Sequence, residues 1–405
     1  MTAERQPARA HIVWVYTQAL LGALDQATWI ETAQELGRQG WDVTLVTADP
    51  PDTAAPGNVQ WRPLGKPRLY LLGQAVFHAR VAWLLLRGWR SIDVALFHEM
   101  STPWLLPLAA VGRLLRRPRP LFVMDTRTLP MVAPERATWR DRLRGAFYGW
   151  MNRFGNRWAD GRTVITRRMA KVLRVPTDKL LGTWPSAVDL PRFSAARGAR
   201  RWPGPGEPVR LIYTGSLVPE RNLTGLARAV QEASSRGMAF EFTAIGSGDG
   251  EAELRALAAH LDGRLRVLSP VSHEEVPRVL ATAHVGVLPF PDEERFRVSS
   301  PIKMFEYMGA GMPVLATRIV CHTDVVGGDD YVFWAEDPSL EGLVEALERV
   351  WRRREELETM GTRAASAAAR YTWAASAGRL GEALRQGIER LAGVQGRKSE
   401  RRVVS

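Results

Sequence analysis

Apolar residues in this chain gather into short runs separated by amphipathic stretches. In the first half the runs are His11–Tyr16, Asp42–Thr47, Asp93–Phe97, Leu121–Asp125 and Thr163–Thr166. In the second they are Val209–Thr214, Glu241–Ile245, Arg264–Leu268, His284–Leu288 and Pro313–Thr317. The stretches between them carry apolar residues at helical spacing, as at Leu223, Leu226, Ala227 and Val230. Runs alternating with helices predict parallel, helix-covered sheets, an α/β fold class. The 405 residues suffice for two such domains. Residues 196–208, inside the aperiodic stretch AARGARRWPGPGEP, read as a linker between domains at 1–195 and 209–370. A helix at 371–391 carries Leu380, Ala383, Leu384, Ile388 and Leu391 on one face, and 396–405 reads as a flexible tail.

Two segments carry chemistry. In SSPIKMFEYMGAGMPVLAT, from Ser299, Ser300 suits a helix cap and Pro301 the first helical position. Gly309 and Gly311 end that helix before an apolar run. Lys303 falls in its first turn, where the helix dipole disfavours a cation unless an anion binds beside it. The bland alternative is a solvated Lys303 paired with Glu306. In LIYTGSLVPERNLTGLARAVQEA a strand meets Gly215, crosses a loop and enters a helix with Arg221 at its mouth. Two strand–loop–helix units with a cation at each mouth predict a diphosphate held by both.

These two segments resemble the nucleotide-sugar half of glycosyltransferase family 4, in the subgroup with a Ser-Pro-x-Lys-x-Phe-Glu block, here Ser300 to Glu306. FTAIGSGDGEAELRAL (Phe242–Leu257) and VSHEEVPRVLATAHVGVLPF (Val271–Phe290) match the family's spacing. The resemblance implies the GT-B fold: two facing Rossmann-like domains with an interdomain cleft, closed by a last helix that crosses back onto the first domain. It implies a retaining transferase that uses a nucleotide-diphosphate sugar, with Gly215, Ser216, Arg221, Gly246, Val271, Ser299, Ser300, Lys303 and Glu306 on the donor. Arg221 and Lys303 would stabilise the leaving phosphates. Glu306 would accept hydrogen bonds from a ribose diol. No metal or other cofactor is expected, since the seven histidines are scattered and Cys321 is the sole cysteine.

In the first domain the resemblance is thinner. Only Gly22 stands where many members have a Gly-Gly loop, and DVALFHEMSTP supplies His98 and Glu99 at a strand end. PLFVMDTRTLP puts Asp125 where many members have a histidine, with Arg127 two residues on. Asp125 either hydrogen-bonds sugar hydroxyls, which would make it catalytic, or pairs with Arg127. Gly22, His98, Glu99 and Arg127 are thus acceptor-side candidates. Val298 occupies the position of a second family glutamate, which excludes a carboxylate nucleophile there and implies front-face transfer. These departures keep two alternatives open: a catalytically silent nucleotide-binding subunit, and a GT-B epimerase. The epimerase would need paired cleft acids that the sequence does not display.

Charge changes the picture further. Residues 1–195 hold 27 Lys and Arg against 15 Asp and Glu, so the net charge of +12 belongs to the first half, as do 11 of the 15 tryptophans. Trp139, Leu143, Phe147, Trp150, Phe154 and Trp158 recur at helical spacing, flanked by Arg136, Arg140, Arg142, Arg144, Arg153 and Arg157. Such a face either packs on the sheet or meets an anionic membrane surface. The Trp83–Leu86 run in the next such stretch, Pro67–Arg90, reads as core. The acceptor is therefore expected to be a glycan or lipid-linked, and the protein cytoplasmic, peripheral on the inner membrane face. Charge alone favours nucleic acid, and no motif supports it. The polar first ten residues give no signal peptide, and no run approaches a membrane span.

Overall fold

The computed structural model describes residues 9–403 apart from 24, 56, 58, 116–117, 131–135 and 329, and the backbone alone of 394–403. The first eight residues and the last two of the expected tail lie outside it. The chain divides into two compact units. One comprises Met1–Thr128, Glu135–Pro185 and Ala374–Ser405, the other Leu129–Pro134 and Ser186–Trp373.

The first unit is a sheet of seven strands: β1 His11–Val15, β2 Asp42–Thr47, β3 Gln60–Pro63, β4 Val94–His98, β5 Leu121–Thr126, β6 Gly161–Val164 and β7 Leu180–Thr183. Their order is β3-β2-β1-β4-β5-β6-β7, with every pairing parallel. The apolar runs become strands because helices cover both faces, so β5 is buried along its whole length. One face packs Ile12, Trp14, Trp29, Trp41 and Trp184, and the other Val13, Phe77, Val81, Phe97 and Phe122. The order reverses between β1 and β4, the place where doubly wound sheets bind ligands beyond the strands' carboxyl ends. Register sets His98 beside Asp125, and Asp125 beside Thr163.

The second unit holds β8 Val209–Thr214, β9 Phe240–Ile245, β10 Leu265–Leu268, β11 Val285–Leu288, β12 Val314–Thr317 and β13 Val332–Ala335. This sheet is again all parallel, in the order β10-β9-β8-β11-β12-β13, reversing between β8 and β11. One continuous core encloses it.

Several sequence expectations are corrected. The stretch read as linker begins inside a helix, Leu190–Ala199, capped by the Asp189 side chain. The chain changes units at 185–186 instead, so no proline-rich segment marks the boundary. Ser300 does not cap the helix Ile302–Gly309, whose cap residue is Pro301. Its hydroxyl oxygen accepts the Ser186 N–H at 3.0 Å instead. The last helix runs Trp373–Val403, through most of the tail read as flexible, because its Arg, Lys and Glu are good helix formers. Its inner face, Ala377, Leu380 and Leu384, joins the first unit's core. Finally, Trp83 and Leu86 are more than half exposed rather than core.

Candidate functional site

In the second unit, the loop after β8 and the loop after β9 touch. Gly215 (φ 138°) and Gly246 (φ 153°) both take backbone angles that favour glycine. A Cβ on Gly246 would lie 1.7 Å from the Gly215 carbonyl oxygen. A Cβ on Gly215 would lie 3.0 Å from Lys303 Cε, so the lysine stem runs directly over the bare glycine. Lys303 Nζ stands 3.2 Å from Glu306 Oε2. Glu306 is buried and the Lys303 side chain largely so, which excludes the solvated surface pair.

Arg221 ends a short 3₁₀ turn, Pro219–Arg221, just before the helix Leu223–Ser235. Its guanidinium lies 4.5 Å from the ring centre of Phe290 and 5.4 Å from that of Phe296. Two aromatic rings therefore flank the cation. Its Nε is buried without a hydrogen-bond partner, and among the described residues no carboxylate pairs with it. Ser299 donates its hydroxyl to the Phe296 carbonyl at 2.8 Å, which joins the Arg221 shelf to the approach of the Lys303 helix. The Ser216 carbonyl accepts the Tyr213 hydroxyl, and Val271 rests on the rim of the core. His273 escaped the sequence reading. It stacks obliquely on Phe193 in the loop after β10, where burial lowers its pKa and the Glu306 charge opposes that shift.

The first unit gathers the other candidates at the carboxyl ends of β4 and β5. His98 Nε2 lies 2.6 Å from Glu99 Oε2. Burial alone would lower the His98 pKa, but the adjacent Glu99 carboxylate outweighs it and the net shift is upward. Burial likewise opposes the charge on Glu99, and His98 turns the balance downward. The two therefore form an ion pair. Asp125 Oδ1 accepts from Thr163 Oγ1 at 2.6 Å and Trp184 Nε1 at 2.8 Å. Burial raises the Asp125 pKa, against the pull of Arg127. The two do not make the ion pair left open by the sequence. Arg127 instead lies over the Trp184 ring, 3.5 Å from its centre, and donates to that residue's carbonyl. Asp125 Oδ2 and Arg127 Nη2 are both buried without partners.

Gly22 lies exposed in the loop after β1 with φ 82°, its N–H donating to Gln26 Oε1. Tyr148 and Trp184 are the groups the sequence reading missed here. The Tyr148 hydroxyl sits 3.0 Å from Glu99 Oε1 and 2.9 Å from the Thr128 carbonyl. Its signal was present: on the aromatic helix Trp139–Trp158, residues 148, 152 and 155 form a polar and small stripe opposite the tryptophans. Nothing in the sequence around Trp184 pointed to a role.

Two doubly wound parallel sheets, each with its candidates at the strands' carboxyl ends, define a GT-B architecture. Residues 26–192 match the family model described as Glycosyltransferase Family 4, and residues 208–353 that of Glycosyl transferases group 1. The chain thus has the GT-B architecture, and each of its two units matches a glycosyltransferase family model. It is 27% identical over 115 residues to the amylovoran biosynthesis glycosyltransferase AmsK of Erwinia amylovora, a match that spans 28% of each chain. Its structure is similar to sucrose-phosphate synthase from Thermosynechococcus elongatus, with a TM-score of 0.73 at 17% identity, covering 93% of this chain and 99% of that one. It is also similar to HepE of Anabaena in complex with UDP-glucose, with a TM-score of 0.64 at 14% identity, covering 95% and 99%. Among the described residues no helix is long and apolar enough to cross a membrane.

Proposed function

We propose that this protein moves a sugar, with retention at the anomeric carbon, from a nucleoside diphosphate sugar to a glycan or lipid-linked acceptor. The carrying observation is Arg221, a cation without a carboxylate partner at the mouth of a helix, in the same half-site as Lys303. An anion at these two helix mouths would meet both positive charge and free amide groups. As the sugar–phosphate bond breaks, charge grows on the departing diphosphate, and both side chains bind it more strongly than they bind the ground state. The new bond from acceptor oxygen to anomeric carbon forms on the same face, and the acceptor proton passes to the leaving diphosphate. Val298, buried and apolar, offers no nucleophile for a two-step route. Glu306 takes the ribose diol, and the unpartnered Asp125 Oδ2 and Arg127 Nη2 take sugar hydroxyls.

AmsK is named as an amylovoran biosynthesis glycosyltransferase and HepE was solved with UDP-glucose, which supports a nucleotide-sugar donor and a glycan product. We assign the exposed aromatic, arginine-rich face of the first unit to an anionic membrane, at its cytoplasmic side. The reaction needs no metal in this scheme. The test is a melting panel of UDP-, GDP- and ADP-sugars, followed by turnover with and without EDTA. A donor at 100 times its Kd adds about 2.7 kcal/mol of stability. The reading fails if no nucleotide sugar stabilises the protein, or if EDTA abolishes turnover.

A further inference from the structure

The amino ends of β1, β2 and β3 lie at the opposite edge of the first sheet from His98 and Asp125. A cavity of about 940 Å³ opens there, under the C-terminal half of the helix Tyr70–Arg87. It exists because that helix has two apolar stripes. Phe77, Val81 and Leu85 are fully buried against the sheet. The neighbouring stripe, Val76, Ala79, Trp83 and Leu84, overhangs the edge strands and lines the cavity instead. Val13, Leu64 and Ile92 complete an apolar wall, and the volume lies within the roughly 300–1,000 Å³ typical of small-molecule sites.

Its polar lining is one-signed. His11, Thr44 and Gln60 close one end in a hydrogen-bonded chain, with His11 Nε2 2.9 Å from Thr44 Oγ1 and Thr44 Oγ1 3.1 Å from Gln60 Oε1. Arg80 is tied to the carbonyls of Leu64 and Gly65. Arg62 and Arg87 also line the cavity, and among the described residues neither side chain has a carboxylate or hydrogen-bond partner. Among the described residues no acidic side chain lines it. An apolar trough with two uncommitted guanidinium groups and no carboxylate matches a ligand with a hydrocarbon tail and an anionic head.

We propose that this cavity binds the alkyl chain of an anionic amphiphile, with the head held by Arg62 and Arg87 and Trp83 covering the mouth. The site lies apart from the proposed transfer chemistry and does not depend on it. The test is calorimetric titration of the full chain with dodecyl phosphate below its micelle concentration, with dodecyl maltoside and inorganic phosphate as comparators. Dodecyl phosphate should bind saturably at one site, at least tenfold more tightly than dodecyl maltoside, and inorganic phosphate should not bind measurably. Ala79→Trp fills the trough from an exposed position and should abolish binding. The double variant Arg62→Gln/Arg87→Gln, confined to exposed side chains, should weaken it at least tenfold while leaving the melting temperature unchanged. Arg140→Gln/Arg153→Gln on the aromatic helix should not affect it. No saturable binding, equal affinity for the uncharged amphiphile, or undiminished binding in a folded Ala79→Trp protein would overturn the proposal.

Discussion

Lys303 Nζ stands 3.2 Å from Glu306 Oε2, and this largely buried pair is the centre of the proposed donor half-site. Without nucleotide each residue satisfies the other; with it, both must be shared with the ligand. Lys303→Ala therefore strands a buried carboxylate. It should cost about 2 kcal/mol of stability, less than the roughly 3–5 of a fully buried pair because Lys303 keeps some water. Adding Glu306→Gln should recover most of that stability but none of the lost turnover, expected to be tenfold or more. Arg221→Ala has no carboxylate to strand, so it should lose similar turnover with a stability change near 1 kcal/mol, from the two ring contacts. Melting curves beside kcat for all four proteins decide this. Near wild-type turnover in either single cation variant would remove the diphosphate assignment.

The ribose role of Glu306 has its own signature. Glu306→Gln replaces an acceptor oxygen by a donor, and nucleotide binding should weaken by roughly 1.5–3 kcal/mol. A 2′-deoxy donor should lose affinity against the wild type and little more against the variant. Equal losses in both proteins would mean that Glu306 does not touch the 2′-hydroxyl.

The glycines separate close approach from mere backbone angle. Gly22→Ala meets no atom within 4 Å, so it bears only the left-handed strain of roughly 1–2 kcal/mol. Gly246→Ala adds a Cβ 1.7 Å from the Gly215 carbonyl, so the loop must move. It should cost roughly 3 kcal/mol and remove nucleotide binding. Similar melting temperatures for the two variants would contradict the contact.

Much of this was legible in the chain. Central strands such as β11 and β12 are buried on both faces, so they read as apolar runs. The three strands that went unread are different: β3 is Gln60–Pro63 with alternating exposure, β7 is half-exposed, and β13 is four residues at a sheet edge. β3 and β7 bury too little apolar surface to stand out from loop, and β13, though mostly buried, is too short to carry a pattern. Arg221 and Lys303 were readable because each breaks a local rule, a cation at a helix start. Trp184 and His273 break no rule, and their places appear only when distant segments meet.

Acid should destabilise the fold. His78, His284 and His322 are buried, and burial lowers each pKa to about 4. Between about pH 6.5 and 4 the unfolded chain takes protons that the folded chain refuses, so stability falls as pH falls through that window. At pH 5 each costs about 2 kcal/mol relative to pH 7.5. His98, shifted upward, acts in the opposite sense and offsets part of the loss. His322→Gln should reduce the mean slope of stability against pH between 7 and 5 by roughly two-thirds of a proton. An unchanged slope would show that His322 does not stay neutral in the folded state.

The aromatic helix carries the last prediction. Trp139, Leu143, Phe147, Trp150 and Trp158 are all at least 39% exposed, so the face does not pack on the sheet. Only Phe154 of that stripe reaches the core. Arg140 and Arg157 lie over Trp139 and Trp158, and Phe147, Trp150 and Phe154 stack in series. Rings at the acyl boundary with guanidinium groups beside them form an interfacial anchor. Each arginine near an anionic surface contributes about 1 kcal/mol, screened beyond a Debye length of about 8 Å at physiological salt. Co-sedimentation with vesicles should require anionic lipid and weaken as salt rises. Changing Arg140, Arg144, Arg153 and Arg157 together to Gln should cut binding at least tenfold, while donor hydrolysis in solution stays unchanged. Binding indifferent to lipid charge, or undiminished in the fourfold variant, would show that this face meets something other than an anionic membrane.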